Sequence, residues 1–140
     1  MNISRVALAA VGAFVVYFVL GGLTFSVPAL RNEFLKYPAV YRSKEGQMSH
    51  MPVGMIAMFV AMLALAVIYA ESYRGGSGLV EGASFGLLIA VFALCSFVLH
   101  NYVNLNIGLK LTLVQAAAYS VSWIVTGIVI GLIYRPIAVG

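Results

Sequence analysis

His50, His100, Cys95 and four methionines are the side chains of this sequence with the chemistry to hold a soft metal or a haem iron. Met51, Met55, Met58 and Met62 follow one another in steps of four, three and four, which places them on one face of a helix. Thioethers are soft ligands suited to Cu(I), and His50 at the head of the stripe and Cys95 on another segment add possible donors. Two imidazoles near one membrane face are also what a bis-histidine haem or metal site requires, although such ligands usually have hydrogen-bonding partners behind them. The plainer reading is packing. Methionine is a flexible filler of apolar gaps, and His50 and His100 are then interfacial hydrogen-bonding residues. On that reading no cofactor is expected, with haem or copper as the alternative. The sequence has no Cys-x-x-Cys-His motif for covalent haem attachment, and its single cysteine excludes an intrachain disulfide.

A second pattern is a polar ladder. Gln115, Tyr119, Ser122 and Thr126 repeat the four, three, four spacing within an otherwise apolar stretch. Polar groups inside a membrane face protein or water rather than lipid. These residues either hydrogen-bond across a helix bundle or line a small polar cavity, with Tyr17 as a candidate partner. The acidic residues stand elsewhere. Glu71 and Glu81 flank a turn containing Arg74 and read as a solvated Glu–Arg cluster. No acidic residue lies in the middle of an apolar stretch, which argues against a proton-driven transporter.

The elements that carry these residues follow from hydropathy. Val6–Leu30, Met51–Ala70, Gly82–Leu99 and Leu111–Tyr134 contain no charge, and each is about the length a helix needs to cross a bilayer core of roughly 30 Å. Only 9% of residues are charged and 63% are hydrophobic, whereas soluble domains carry about 25% charged residues. Backbone groups in lipid must bond internally, so the spans are helices. The alternation of a membrane β-barrel is absent. The expectation is an all-α, up-down-up-down bundle of four transmembrane helices, one membrane domain over residues 1–140, with spans at about 4–30, 51–73, 79–103 and 109–135. The first stretch is longer than a signal-peptide core and reads as a transmembrane helix. Tyr37-Pro38 and Glu45-Gly46 read as breakers in the polar segment Arg31–His50. Pro52 falls in the first turn of span two, where a missing N–H costs nothing. Arg74–Gly78 is a flexible turn, and Pro136 marks the end of span four.

Small residues recur every four positions on span three, at Gly78, Gly82, Gly86 and Ala90, and span four offers Ala116, Ser120, Gly127 and Gly131. Such stripes let helix backbones approach closely in lipid. They serve packing between spans three and four or docking of another protein. A faint repeat, Ile68-Tyr69 against Ile133-Tyr134, hints at two related hairpins.

The string Glu81-Gly82-Ala83-Ser84-Phe85-Gly86-Leu87-Leu88-Ile89 and the ending Gly127–Pro136 resemble a group of small bacterial four-helix membrane proteins of unknown function. The likeness covers about the second half of the chain and the end of span two. It implies that the glycine-rich turn and the C-terminus are cytoplasmic, and it implies no activity and no catalytic residue. The expected role is non-enzymatic: a structural or accessory subunit of a larger assembly in the bacterial inner membrane. The alternative is a small-molecule or ion transporter acting as an oligomer. Expected partners are the lipid bilayer and other membrane subunits or a second copy. The net charge of +4 comes from dispersed basic residues and is no nucleic-acid signal. Phe34, Tyr37 and Tyr41, interleaved with Lys36 and Arg42, suit a headgroup surface or a partner's rim.

Four spans put both termini and the Arg74 turn on one side, here the A side, and the Arg31–His50 segment and the Asn104 turn on the other, the B side. Arg31, Lys36, Arg42, Lys44 and Lys110 lie on the B side against Arg5, Arg74 and Arg135 on the A side. The positive-inside bias therefore opposes the resemblance by a narrow margin. With Cys95 removed, a cysteine at Ser43 is expected to react with an impermeant thiol reagent in cells whose outer barrier admits it, and one at Ser77 is not. Selective labelling at Ser77 reverses the orientation.

Overall fold

A computed structural model describes residues 1–135, and Pro136, the expected stop, lies outside them. The chain forms helices α1 (Ile3–Ser26), α2 (Pro28–Leu35), α3 (Lys44–Ser72), α4 (Gly78–Ala93), α5 (His100–Asn104) and α6 (Leu109–Tyr134). A π-helical segment, Leu94–Leu99, joins α4 to α5, so the third span is one continuous rod, Gly78–Asn104. Four rods, α1, α3, α4–α5 and α6, are long and apolar enough to cross a membrane.

The helix ends differ from the expected spans in two places. Helix α1 stops at Ser26, short of residue 30. Pro28 disfavours helical geometry at the preceding residue, Val27 is extended at φ −78° and ψ 113°, and the proline then begins α2. Helix α3 starts earlier than residue 51. Ser43 caps α3 by accepting a hydrogen bond from the Gly46 amide at 3.2 Å, so Glu45-Gly46 lies in the first turn instead of breaking the chain. Pro52 consequently sits inside the helix rather than in its first turn. Membrane helices tolerate such prolines where neighbouring groups satisfy the freed backbone. At 29 residues, α3 is roughly 43 Å long, about 13 Å more than the hydrocarbon core.

The helices form a row, α4–α6–α1–α3, with α6 and α1 inside it. The tightest pairing is α4 on α6. A Cβ on Gly82 would lie 2.5 Å from the Gly127 carbonyl oxygen, one on Gly86 2.5 Å from that of Trp123, and one on Gly127 2.5 Å from that of Gly82, while Gly78 and Gly131 abut in the same way. The backbones therefore touch, antiparallel, with no room for side chains. Ala116 and Ser120 are half-buried, and Ala90 is buried. A step of four residues drifts by about 40° per turn around an α-helix. The wider π-helical turns offset that drift, so Val98 remains buried and the segment keeps its contact with α6.

The compact core lies toward the A side. Val6, Ala9, Ala10 and Ala13 of α1 meet Met62, Ala66 and Tyr69 of α3 and Ile130 and Tyr134 of α6. Tyr69 packs edge-on against Phe85 and Tyr134, closing the row where α3 turns into α4. The turn has its own clamp. The Glu81 carboxylate accepts from the amides of Arg74 at 3.2 Å and Gly76 at 2.7 Å, and Gly75 supplies the left-handed conformation at φ 87°. Glu81 thus binds the turn's backbone rather than joining a solvated Glu–Arg cluster. The α3 members of this core, Met62, Ala66 and Tyr69, all lie in the A-side half of that helix, and α3 meets α6 far less than it meets α1.

Gly82→Ala is expected to destabilise the protein by about 1–3 kcal/mol, because its Cβ would strike backbone that cannot yield. Gly54→Ala, where nothing lies within 4 Å, should be neutral or stabilising by up to about 1 kcal/mol. Unfolding midpoints in mild detergent separate the two. Equal behaviour would mean that the α4–α6 contact does not govern stability.

Candidate functional site

Between the two middle helices and the diverging B-side half of α3 lies a cavity of about 290 Å³. Tyr17 and Thr24 come from α1, Phe34 from α2, Met58 from α3, and Gln115, Tyr119 and Ser122 from α6. Three rungs of the ladder and Tyr17 thus meet around one space. Thr126 lies a turn deeper, fully buried outside the lining. The Tyr17 ring rests on Trp123 with centroids 4.8 Å apart, forming part of the cavity's inner end.

Gln115 is the site's most constrained polar group. It is 8% exposed. Its Nε2 donates to the Tyr41 hydroxyl at 2.8 Å, but its Oε1 is buried with no hydrogen-bond partner among the described residues. Trp123 Nε1 and Thr126 Oγ1 share that condition. Leaving one such atom unpaired costs about 1–3 kcal/mol. Among the described residues no charged side chain lines the cavity, so it suits a neutral guest that offers O–H or N–H donors.

The B-side mouth is covered by α2 and the segment that follows it, held to α6 by three links. Glu33, with its side chain 6% exposed, accepts from Lys110 Nζ at 2.6 Å and from Lys36 Nζ at 2.7 Å. The Tyr37 hydroxyl accepts from the Gly108 amide at 3.0 Å. Tyr41 receives the Gln115 amide. The hydroxyls of Tyr37 and Tyr41 therefore point inward and tie the segment down, while their half-buried rings leave part of the surface open to contact. No local pattern could reveal this, because the bonds join residues 71 and 74 positions apart.

The candidate metal ligands do not converge. Met62 is fully buried in the A-side core, Met58 borders the cavity, and Met51 and Met55 are exposed. His50 is exposed, with Nδ1 2.8 Å from the Gly46 carbonyl oxygen of its own helix. His100 and Cys95 are exposed on the third span, at the opposite end of the row from α3. Among the described residues no three His, Cys, Asp or Glu side chains are grouped for a metal ion.

Hydrogen bonds from Lys110 and then Lys36 hold the Glu33 carboxyl below its ordinary value of 4.5. A carboxyl whose folded pKa is depressed adds stability above the unfolded pKa, and that contribution is lost as pH falls through the lower folded value. Amide protection of residues 31–43 should accordingly decline on acidification below about pH 4.5. In Glu33→Gln it should be low already at neutral pH and lack this acid step. Identical hydrogen-exchange profiles for the two proteins would discount the clamp.

No curated protein and no solved structure matches the chain. The family described as "Protein of unknown function (DUF1761)" matches residues 8–131. That match extends from the first span through the Gly127–Gly131 contact, and so includes every helix that builds the cavity. By this match, the four-span helical chain belongs to the DUF1761 family.

Proposed function

We propose that this protein is a non-enzymatic binding protein of the membrane, taking a small uncharged molecule into the cleft between α1, α3 and α6. The observation that carries the reading is Gln115 on the wall of a cavity with its Oε1 buried and without a partner among the described residues, so that a small turn of the carboxamide would offer this acceptor to a guest's O–H or N–H. The hydroxyls of Tyr17, Tyr119 and Ser122 add donors and acceptors around the same space, while Phe25, Phe34 and Met58 supply apolar wall. Together these favour a flat or aromatic ring bearing a hydroxyl or amide. The volume lies at the lower end of the roughly 300–1,000 Å³ common for ligand sites. Release toward the B side would make such a site a step in small-molecule transport.

A second reading, an accessory subunit of a larger membrane assembly, is favoured by α3. It packs chiefly on α1, and its uncovered face carries Met51, Met55, Ile56, Phe59, Val60 and Leu63, an adaptable apolar surface. A native mass above that of one chain in mild detergent supports this reading, and a strictly monomeric protein without a copurifying partner counts heavily against it.

Trp123 is the only tryptophan and packs at a tilt against the ring of Tyr17, a cavity residue, so its emission reports on the cleft. In nanodiscs, 4-ethylphenol and benzamide are expected to change that emission saturably, and ethylbenzene far less. Gln115→Leu should weaken the phenol about tenfold, the equivalent of one hydrogen bond of roughly 1.4 kcal/mol. If ethylbenzene competes equally, or if the variant binds phenol as tightly as the parent, the polar-guest reading fails.

A further inference from the structure

We propose that a second cavity, between the end of α1 and the start of α3, holds one anionic phospholipid by its headgroup. The cavity adjoins the cleft at Phe25 and Phe34, but the proposal does not depend on the reading given for the cleft. The cavity measures about 520 Å³, and Arg31, Arg42 and Lys44 stand around it. Its remaining wall is largely apolar, with Phe25, Phe34 and Leu35 prominent. Cations over an aromatic floor match a phosphate joined to a glycerol and acyl stems, whereas a free phosphate would leave the floor unused.

The electrostatics favour a negative guest. Among the described residues none of these three cations forms a salt bridge. The acidic residues are committed elsewhere. Glu33 is shared by Lys36 and Lys110, and Glu81 serves the A-side turn. Glu71 is at the far end of α3, and Glu45, beside Lys44 in sequence, is not among the residues lining the cavity. Three positive charges therefore face one space with little opposing charge. Guanidinium groups bind phosphate oxygens in a two-pronged geometry, and each cation beside an anionic membrane surface adds to the attraction. The position is also that of a headgroup. Phe25 lies in the last turn of α1 and Lys44 opens α3, so the site sits where the chain leaves the hydrocarbon.

The test uses the full chain in vesicles of phosphatidylcholine and phosphatidylglycerol, followed by mild extraction and native mass measurement of retained lipid. The parent protein is expected to keep one phosphatidylglycerol in preference to phosphatidylcholine. The triple variant Arg31→Gln, Arg42→Gln, Lys44→Gln should lose that preference by on the order of a hundredfold. An A-side control with equal charge loss, Arg5→Gln, Arg74→Gln, Arg135→Gln, should retain it. Unchanged Trp123 emission certifies the fold of each. Should the triple variant misfold, Arg42→Gln alone should show a loss of about fivefold. Three results would overturn the proposal: retention by the charge-depleted variants, an equal loss in the control, or displacement of the lipid by millimolar inorganic phosphate, which would assign the site to the free anion.

Discussion

Contact between the backbones of α4 and α6 sets the geometry on which the other helices build. Gly78, Gly82 and Gly86 lie against Gly131, Gly127 and Trp123 with no side chain between them. In lipid, no hydrophobic force draws one apolar helix to another, so association depends on close packing and on hydrogen bonds. The glycines provide that closeness, and the π-helical turns of Leu94–Leu99 prolong it by keeping Val98 on α6. With one side of α6 occupied in this way, α1 takes another, and α3 is left to pack on α1. The row α4–α6–α1–α3 follows.

Side-chain size then decides where the row is dense and where it opens. On the A side the alanines of α1 let α3 and α6 close around Met62, Tyr69 and Ile130. On the B side Tyr17, Tyr119, Met58 and Gln115 occupy the corresponding levels, and the helices cannot come as near. Two of the cavities at this end are the geometric result of that gradient. One is lined by the polar ladder, the other by cations, and both share Phe25, Phe34 and the neighbourhood of Tyr41. Membrane packing and candidate chemistry are therefore segregated along the bundle: rigid at one end, open at the other.

The segment from α2 to the start of α3 turns this open end into an enclosed one. Glu33, Tyr37 and Tyr41 each reach the N-terminal part of α6, while Arg31, Arg42 and Lys44 remain on the outer face. One short stretch thus has two chemically distinct sides, an inner one that satisfies buried polar groups and an outer one that carries unpaired positive charge. Tyr41 bears on both, since it binds Gln115 and borders the cationic cavity. Because the inner links are few and partly ionic, this end should open before the glycine-locked end.

Much of the fold is legible in the sequence. Long uncharged runs establish lipid as the solvent and require four helical spans, and the short turns at Arg74 and Asn104 require neighbouring spans to alternate in direction. The spacing of Gly78, Gly82 and Gly86 exposes a face able to approach another backbone, and the spacing of Gln115, Tyr119, Ser122 and Thr126 puts polar atoms on one face of α6. These are properties of single helices, set by rise and periodicity. Tertiary structure alone decided that α6 lies inside the row, that α3 is its outer member, that Tyr37 and Tyr41 point inward, and that Tyr17 joins the ladder at a cavity. It also dispersed the histidines and methionines that spacing had grouped. The reason is that an apolar side chain gains about as much from lipid as from another helix. Hydropathy therefore says which residues enter the membrane, while their neighbours there depend on how distant side chains differ in volume and on which buried polar atoms find partners.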